Sequence, residues 1–495
     1  NVQGCKRMWP FWIATLTVVE SAVESAVEPQ ITAKTAIAPQ PTSISPSASA
    51  LRTPLQTALK QLQASPSTEN PSEISDLLQL AESQSEAENY EQAITTYQAV
   101  LARLDQRNST DISAKSTALT GIGVTHIERQ DYSAALPYFK QALALFTAPG
   151  HTRQTNLAAS DYAQALIWLT IEIGQTYEYL SHFGTAITYY HQALTPETAA
   201  FIDPYTRASL LMRKGIVETE IGQYNQAEIT LQAAITLSQT LAAAAFISAD
   251  AIAALAWTYE QQQNYTQAIT QYRQALALYQ QTDDNSGIAL TLSNLGAVHL
   301  KQDNTTAAQT VLTQAQTLPS TADDLYQQAV LFDSFGILYQ KQGDLEKAWL
   351  SYRQALSLSR QSTDKISEIG ALINLARLME TPINGQSNGQ SNGQSNDQSQ
   401  PEAAIFFYKQ AIARIETIRQ DLQTLSTAIQ KRYTLTVEDI YRHLADLLLQ
   451  QDRTPEALEI IELLKIQEVT AYLHSNPSNP PATTTLLSSQ LTPAA

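Results

Sequence analysis

The sequence predicts an all-α chain in which about eight similar helix pairs stack into a solenoid, followed by a helical connector. Two observations carry this. Four fragments, Tyr90-Glu-Gln-Ala-Ile, Tyr132-Ser-Ala-Ala-Leu, Tyr224-Asn-Gln-Ala-Glu and Tyr265-Thr-Gln-Ala-Ile, recur along the chain, and a period of about 20–50 residues marks stacked supersecondary units. Alignment on them exposes columns of small and large residues at helical spacing.

The first column is small: Ala81, Gly123, Gly174, Gly215, Ala256, Gly296, Gly336 and Ala376. Twelve residues later stand Ala93, Ala135, Ala186, Ala227, Ala268, Ala308 and Ala348. Four further on come Tyr97, Phe139, Tyr190, Leu231, Tyr272, Leu312 and Tyr352. Three beyond those are Val100, Ala142, Ala193, Ala234, Ala275, Ala315 and Ala355. The i, i+4, i+7 spacing places these last three columns on one face of a second helix. Small residues let two antiparallel helices approach, and the large residue fills the gap beside them.

This pattern resembles the tetratricopeptide repeat over residues 73–414. The resemblance implies a right-handed superhelical solenoid whose first helices line a concave surface. Such arrays are stabilised by a sum of local interfaces, each pair burying its face against its neighbours. Most copies are spaced by 40–42 residues, and a stretch of 51 between the second and third is assigned to a loop around Thr147–Thr152. In the eighth copy Ala376 and Ala404 are 28 apart instead of 12. Residues 384–399, four NGQS-like units, account for the 16 extra. They read as a disordered low-complexity expansion in the turn, whose removal restores Ala404, Tyr408 and Ala411 to register.

Three apolar-periodic blocks follow, at 415–425, 437–449 and 455–473, so that residues 415–474 read as a three-helix connector. They resemble the connector that precedes the protease-like domain of bacterial CHAT-domain proteins. The resemblance implies that the solenoid positions or restrains such a domain. Only His474–Ala495 remain after Leu473, too few for that domain, and 475–495 read as a disordered tail. At the other end, Lys6-Arg7 precede an uncharged, mostly apolar run from Met8 to Val19. Residues 1–26 thus read as an export signal or a disordered tail, and a signal would place the protein in the cell envelope rather than the cytoplasm. Residues 27–72 read as a Pro/Ser/Thr/Ala-rich linker with one short helix.

Composition narrows the function. The chain has 495 residues, 43% hydrophobic, and a net charge of −17. It lacks the basic stripe of a nucleic-acid binder. Cys5 is the single cysteine, which excludes an internal disulfide framework and a cysteine zinc site. None of the seven His has a companion at ligand spacing. His126 and His299 share a column with Tyr177, Tyr259 and Tyr339 and read as packing residues, and the acidic residues read as solvated helix faces. No cofactor, metal, small-molecule substrate or catalytic group is expected, and membrane association only through the N-terminal segment.

The expected function is that of a protein–protein interaction scaffold. The register of the repeats places Arg213, Asn294, Lys301, Lys341, Asn374 and Arg377 beside the small column of the first helices, where a peptide or partner protein would lie. The resemblance implies that an Asn at positions 294 and 374 hydrogen-bonds a peptide backbone. The two-Lys, two-Asn carboxylate clamp of chaperone-binding relatives is absent, since Gly121, Glu172, Ala254 and Ser334 take those places. A stand-alone envelope scaffold, with no protease-like partner, is the alternative.

Overall fold

The computed structural model describes residues 71–106, 111–147, 159–199, 201–241, 244–318, 324–362, 364–381 and 400–475. The readings for 1–26, the linker, the NGQS units and the C-terminal tail lie outside these residues, as does most of the loop after Thr147. Among the described residues the chain is helical, with no strand. The helices pair as α1 (Pro71–Glu86) with α2 (Tyr90–Gln106), α3 (Ile112–Glu128) with α4 (Tyr132–Thr147), and α5 (Ala159–Tyr179) with α6 (Phe183–Ala193). After a helical turn at Pro196–Ala199 come α7 (Pro204–Glu220) with α8 (Tyr224–Gln239), α9 (Ala245–Gln261) with α10 (Tyr265–Gln281), and α11 (Asn285–Lys301) with α12 (Thr305–Gln316). Then follow α13 (Leu325–Lys341) with α14 (Leu345–Gln361), α15 (Lys365–Glu380) with α16 (Pro401–Leu422), and α17 (Thr427–Gln450) with α18 (Thr454–Ser475).

The columns explain the pairing. A Cβ on Gly123 would meet the Phe139 ring at 2.6 Å, and one on Gly296 would meet Leu312 at 2.5 Å. Each glycine of the small column therefore faces the large residue of its own pair, and Phe139, Tyr190, Leu231, Tyr272 and Leu312 are fully buried. Several helices open on a side-chain cap. Asp111, Asp203, Asp284, Asp324 and Asp364 each accept from a backbone N–H of the first turn, as do Asn264 and Asn304. Such caps contribute about 1 kcal/mol apiece. Part of the acidic excess is thus spent on helix starts rather than on solvated faces.

The hairpin turns are alike. Glu88, Gln130, Ser181, Gly222, Gln263, Asp303, Gly343 and Asp452 all have positive φ. In each, the next residue's N–H donates to the carbonyl five back, as from Asn264 to Tyr259 (2.8 Å) and from Arg453 to Leu448 (2.9 Å). This is the left-handed helix-ending turn that satisfies the last carbonyls of a helix. The eighth hairpin departs from it: Thr381 ends α15 in an extended conformation, and the Gln400 N–H donates to Met379.

Two features depart from the reading of the C-terminal region. Helix α16 runs unbroken through residue 415 to Leu422. Helices α17 and α18 form a ninth hairpin on the same columns: Ala445 and Ala457 are twelve apart, both are buried, and Asp452 makes the left-handed turn.

A third departure concerns stability. Hairpins three and four do not touch their neighbours alone. The Asp421 carboxylate of α16 caps the start of α6, accepting from the Gly184 and Thr185 amides and from the Thr185 hydroxyl (2.7 Å). Lys365 donates to the Leu180 carbonyl at 2.7 Å. A Cβ on Gly184 would lie 2.8 Å from the Asp421 carbonyl oxygen, and Gly222, with φ +75°, sits against Thr436. One apolar core joins Phe183, Ile187 and Ile221 to Ile418, Leu422 and Tyr433. The expected sum of nearest-neighbour interfaces is corrected by this long-range contact.

Candidate functional site

Successive first helices pack directly on one another, α7 on α9, α9 on α11, α11 on α13 and α13 on α15. First helices therefore lie on the short-radius side of the stack, and their outward positions form one continuous face. The structure places the expected face residues unequally.

Arg213 is removed from this face. It is buried, with its guanidinium donating to Glu178 at 3.0 Å and to the Tyr179 hydroxyl at 2.8 Å. Its charge serves the packing of α5 on α7, so the expectation that it faces a ligand is corrected. Lys301 and Lys341 bridge hairpins: Lys301 pairs with Glu260 at 2.8 Å and Lys341 with Asp303. Asn374 donates its amide to both oxygens of Asp333, at 2.9 and 3.0 Å, across 41 residues. Burial pushes the Asp333 carboxyl up to about 6, against the pull of Asn374 and Lys301. Asn294 is half-buried on α11 and Arg377 exposed on α15. Asn294 and Lys301 lie on α11, Lys341 on α13, and Asn374 and Arg377 on α15, and Lys301, Lys341 and Asn374 are already paired across the helix boundaries.

A second constellation was not anticipated. At four of the tyrosines in the large column, the hydroxyl donates to a residue at the end of the same hairpin's first helix. Tyr272 donates to Glu260 (3.0 Å), Tyr352 to Gln340 (2.8 Å), Tyr408 to Glu380 (2.8 Å) and Tyr190 to Glu178. A buried phenol needs an acceptor. Where the column holds Phe139, Leu231 or Leu312, the equivalent positions are Ile127, Thr219 and Leu300. The co-occurrence of Tyr190, Tyr272 and Tyr352 with Glu or Gln twelve residues earlier was a signal available in the sequence. The following hairpin then supplies a basic side chain to the acid: Arg213 to Glu178, Lys301 to Glu260, and His443 to Glu380 at 2.8 Å. Glu178 and Glu260 are interior partners, not the solvated faces that composition suggested. So is Asp250, which accepts from Tyr279 at 2.6 Å.

His126 stacks on Tyr138 with ring centroids 5.7 Å apart, and His299 is buried. Burial pulls both below the ordinary imidazole value. Among the described residues no group of three or more His, Cys, Asp or Glu could hold a metal ion, and no helix is long and apolar enough to cross a membrane. A cavity of about 390 Å³ opens between α15, α16 and α17, lined by Arg377, Glu380, Thr381, Tyr408, Asp439, Ile440 and His443.

With this geometry in place, comparison identifies the class. A tetratricopeptide-repeat family model matches residues 73–148 and 206–281, and a second matches 333–362. The chain carries tetratricopeptide repeats and is an all-α solenoid built from them. No curated protein matches it in sequence. Among solved structures it is similar to a Rap protein complexed with competence and sporulation factor, at 14% identity and a TM-score of 0.49, covering 81% of this chain and 98% of that one. It is also similar to the Rap conjugation gene regulator of plasmid pLS20 in complex with the Phr* peptide: 13% identity, TM-score 0.48, 82% and 98% covered. A third is a tetratricopeptide repeat protein from Parabacteroides merdae, with 14% identity, TM-score 0.44, and 60% and 98% covered. No residue role transfers at such distances.

Proposed function

We propose that the protein is a protein–protein interaction scaffold whose first-helix face, along α11, α13 and α15, binds a peptide or partner protein. The observation that carries this is that polar side chains link successive first helices to one another. Lys301, Asp333, Asn374 and Lys341 are held in place by partners one hairpin away, and Asn294 is half-buried on α11. Positioned side chains cost less entropy to engage a ligand than free ones.

The test is affinity capture from cell extract with the full chain and with its Asn294→Ala variant. Asn294 is the cleaner probe, because Asn374→Ala would also release Asp333. A protein captured by the native chain and lost, by about tenfold or more, from the variant supports the reading. Capture indifferent to Asn294→Ala, Lys341→Ala and Arg377→Ala moves the site off this face.

A narrower reading is that the scaffold positions or restrains a CHAT-type protease-like domain. It rests on the resemblance of residues 415–473 alone. Direct binding of such a domain, purified from the same genome, to the native chain supports it. Absence of binding favours the stand-alone scaffold.

A further inference from the structure

We infer that the junction of the eighth and ninth hairpins is a socket for one cationic side chain, ammonium or guanidinium, of a bound protein or peptide. The inference rests on the scaffold reading for the identity of its ligand. It rests on the molecule's own repetition for the site.

The relay of tyrosine, acid and basic side chain occurs three times, and twice the following hairpin completes it with a permanent charge. At Glu178 the cation is Arg213, two residues before the small Gly215, and its side chain is 3% exposed. At Glu260 it is Lys301, at 2.8 Å. At Glu380 the position equivalent to Arg213, two residues before Ala445, holds His443. The imidazole reaches Glu380 with Nε2 at 2.8 and 3.1 Å while remaining 51% exposed. A histidine is shorter than an arginine and does not fill the equivalent space. The 390 Å³ cavity lies at this point.

Two further differences mark the same place. The other hairpins end their first helix in a left-handed turn, whereas α15 ends in the extended Thr381, which lines the cavity. The residue four before Arg213 is Ser209, whereas the residue four before His443 is Asp439, and Asp439 lines the cavity. Positions i and i+4 share a helix face. Two carboxylates, Glu380 and Asp439, therefore border a space that in the homologous hairpin an arginine occupies. Arg377 is the cation in the cavity wall and stands beside the Tyr408 hydroxyl. A ligand's own carbonyl or carboxylate would engage it while the cationic group meets the acids. The chain's net charge of −17 favours the approach of such a ligand.

The experiment is a titration of the full chain with N-acetyl-arginine amide and N-acetyl-lysine amide, followed by saturation-transfer NMR. N-acetyl-citrulline amide, similar in shape and uncharged, is the control. The expected result is saturable binding of the two cations in the millimolar range, weakened by salt, with citrulline at least tenfold weaker. Glu380→Gln and Asp439→Asn should each weaken it several-fold. His443→Arg, which places in the socket the residue its homologue has, should abolish it and raise the melting temperature. Equal binding of citrulline, or unchanged binding in folded His443→Arg, overturns the inference. The scaffold reading fails separately: its partner is captured through Asn294, and that capture is scored on its own whatever the socket binds.

Discussion

Hairpins three and five are cut from the same columns but are held in different ways. Hairpin five, α9 with α10, is local. Tyr272 and Tyr279 are satisfied by Glu260 and Asp250 of the same hairpin, and Lys301 comes from the next one. Hairpin three, α5 with α6, depends on Asp421, more than 230 residues away, for the cap of its second helix. The difference teaches that a repeat array need not be a one-dimensional sum. Where it returns on itself, one hairpin's stability becomes conditional on another's presence.

The largest effect should come from cutting that dependence. Asp421→Ala strips the cap from α6 and leaves its amides without an acceptor, at a cost of about 2–3 kcal/mol. Hydrogen exchange should show α6 and α16 losing protection together while α9 and α10 keep theirs. Uniform loss along the array would return the protein to nearest-neighbour behaviour.

Acidity distinguishes the two regions by sign. Burial alone would raise Asp421, but hydrogen bonds from His182, Thr185 and the Gly184 amide outweigh it and hold the carboxyl below the usual range. Its contribution is present above pH ~4 and lost as pH falls through the lowered value. Burial raises Asp250 to about 7, partly offset by the Tyr279 hydroxyl and reinforced by Asp284. Between pH ~4 and 7 the native state therefore holds a proton that the unfolded state has released, so this contribution falls as pH rises. Urea melts at pH 5 and 8 should show Asp250→Asn gaining on the native protein at the higher pH, by roughly 1–3 kcal/mol. An identical gain at both values would place the proton elsewhere.

A smaller and strictly local effect is expected at Glu260. Glu260→Ala leaves the buried Tyr272 hydroxyl without its acceptor and Lys301 without its partner, about 2 kcal/mol. Its exchange signature should stay within α9 to α11; spread into α6 would show that hairpin five also feels the long-range contact. Deletion of residues 384–399 should change the melting temperature least, by no more than about 1 °C, because closure cost rises slowly with loop length. A loss of several degrees would mean that the segment packs.

Much of this was legible. The small and large columns identified the pairs, because a Gly or Ala opposite a large side chain is a packing requirement written at fixed spacing. The ninth hairpin was legible too, since Ala445 and Ala457 keep the twelve-residue interval, but the change of composition after Ile415 drew the reading toward a separate connector. The tyrosine acceptors could have been found by asking what a buried hydroxyl bonds to. For the candidate face the register placed Asn294, Lys301, Lys341, Asn374 and Arg377 on α11, α13 and α15. It misplaced Arg213, because a column position does not say whether a neighbouring hairpin covers it.

What the sequence by itself determined is the hairpin and its repetition. Helical period, small residues, caps and turns are all encoded within some 40 residues, and their physics is short-ranged. What only the tertiary structure decided is how the stack curves and where it meets itself. Asp421 beside Gly184, Lys365 beside Leu180, and the space left beside His443 follow from small rotations accumulated over many hairpins. No single repeat contains that sum.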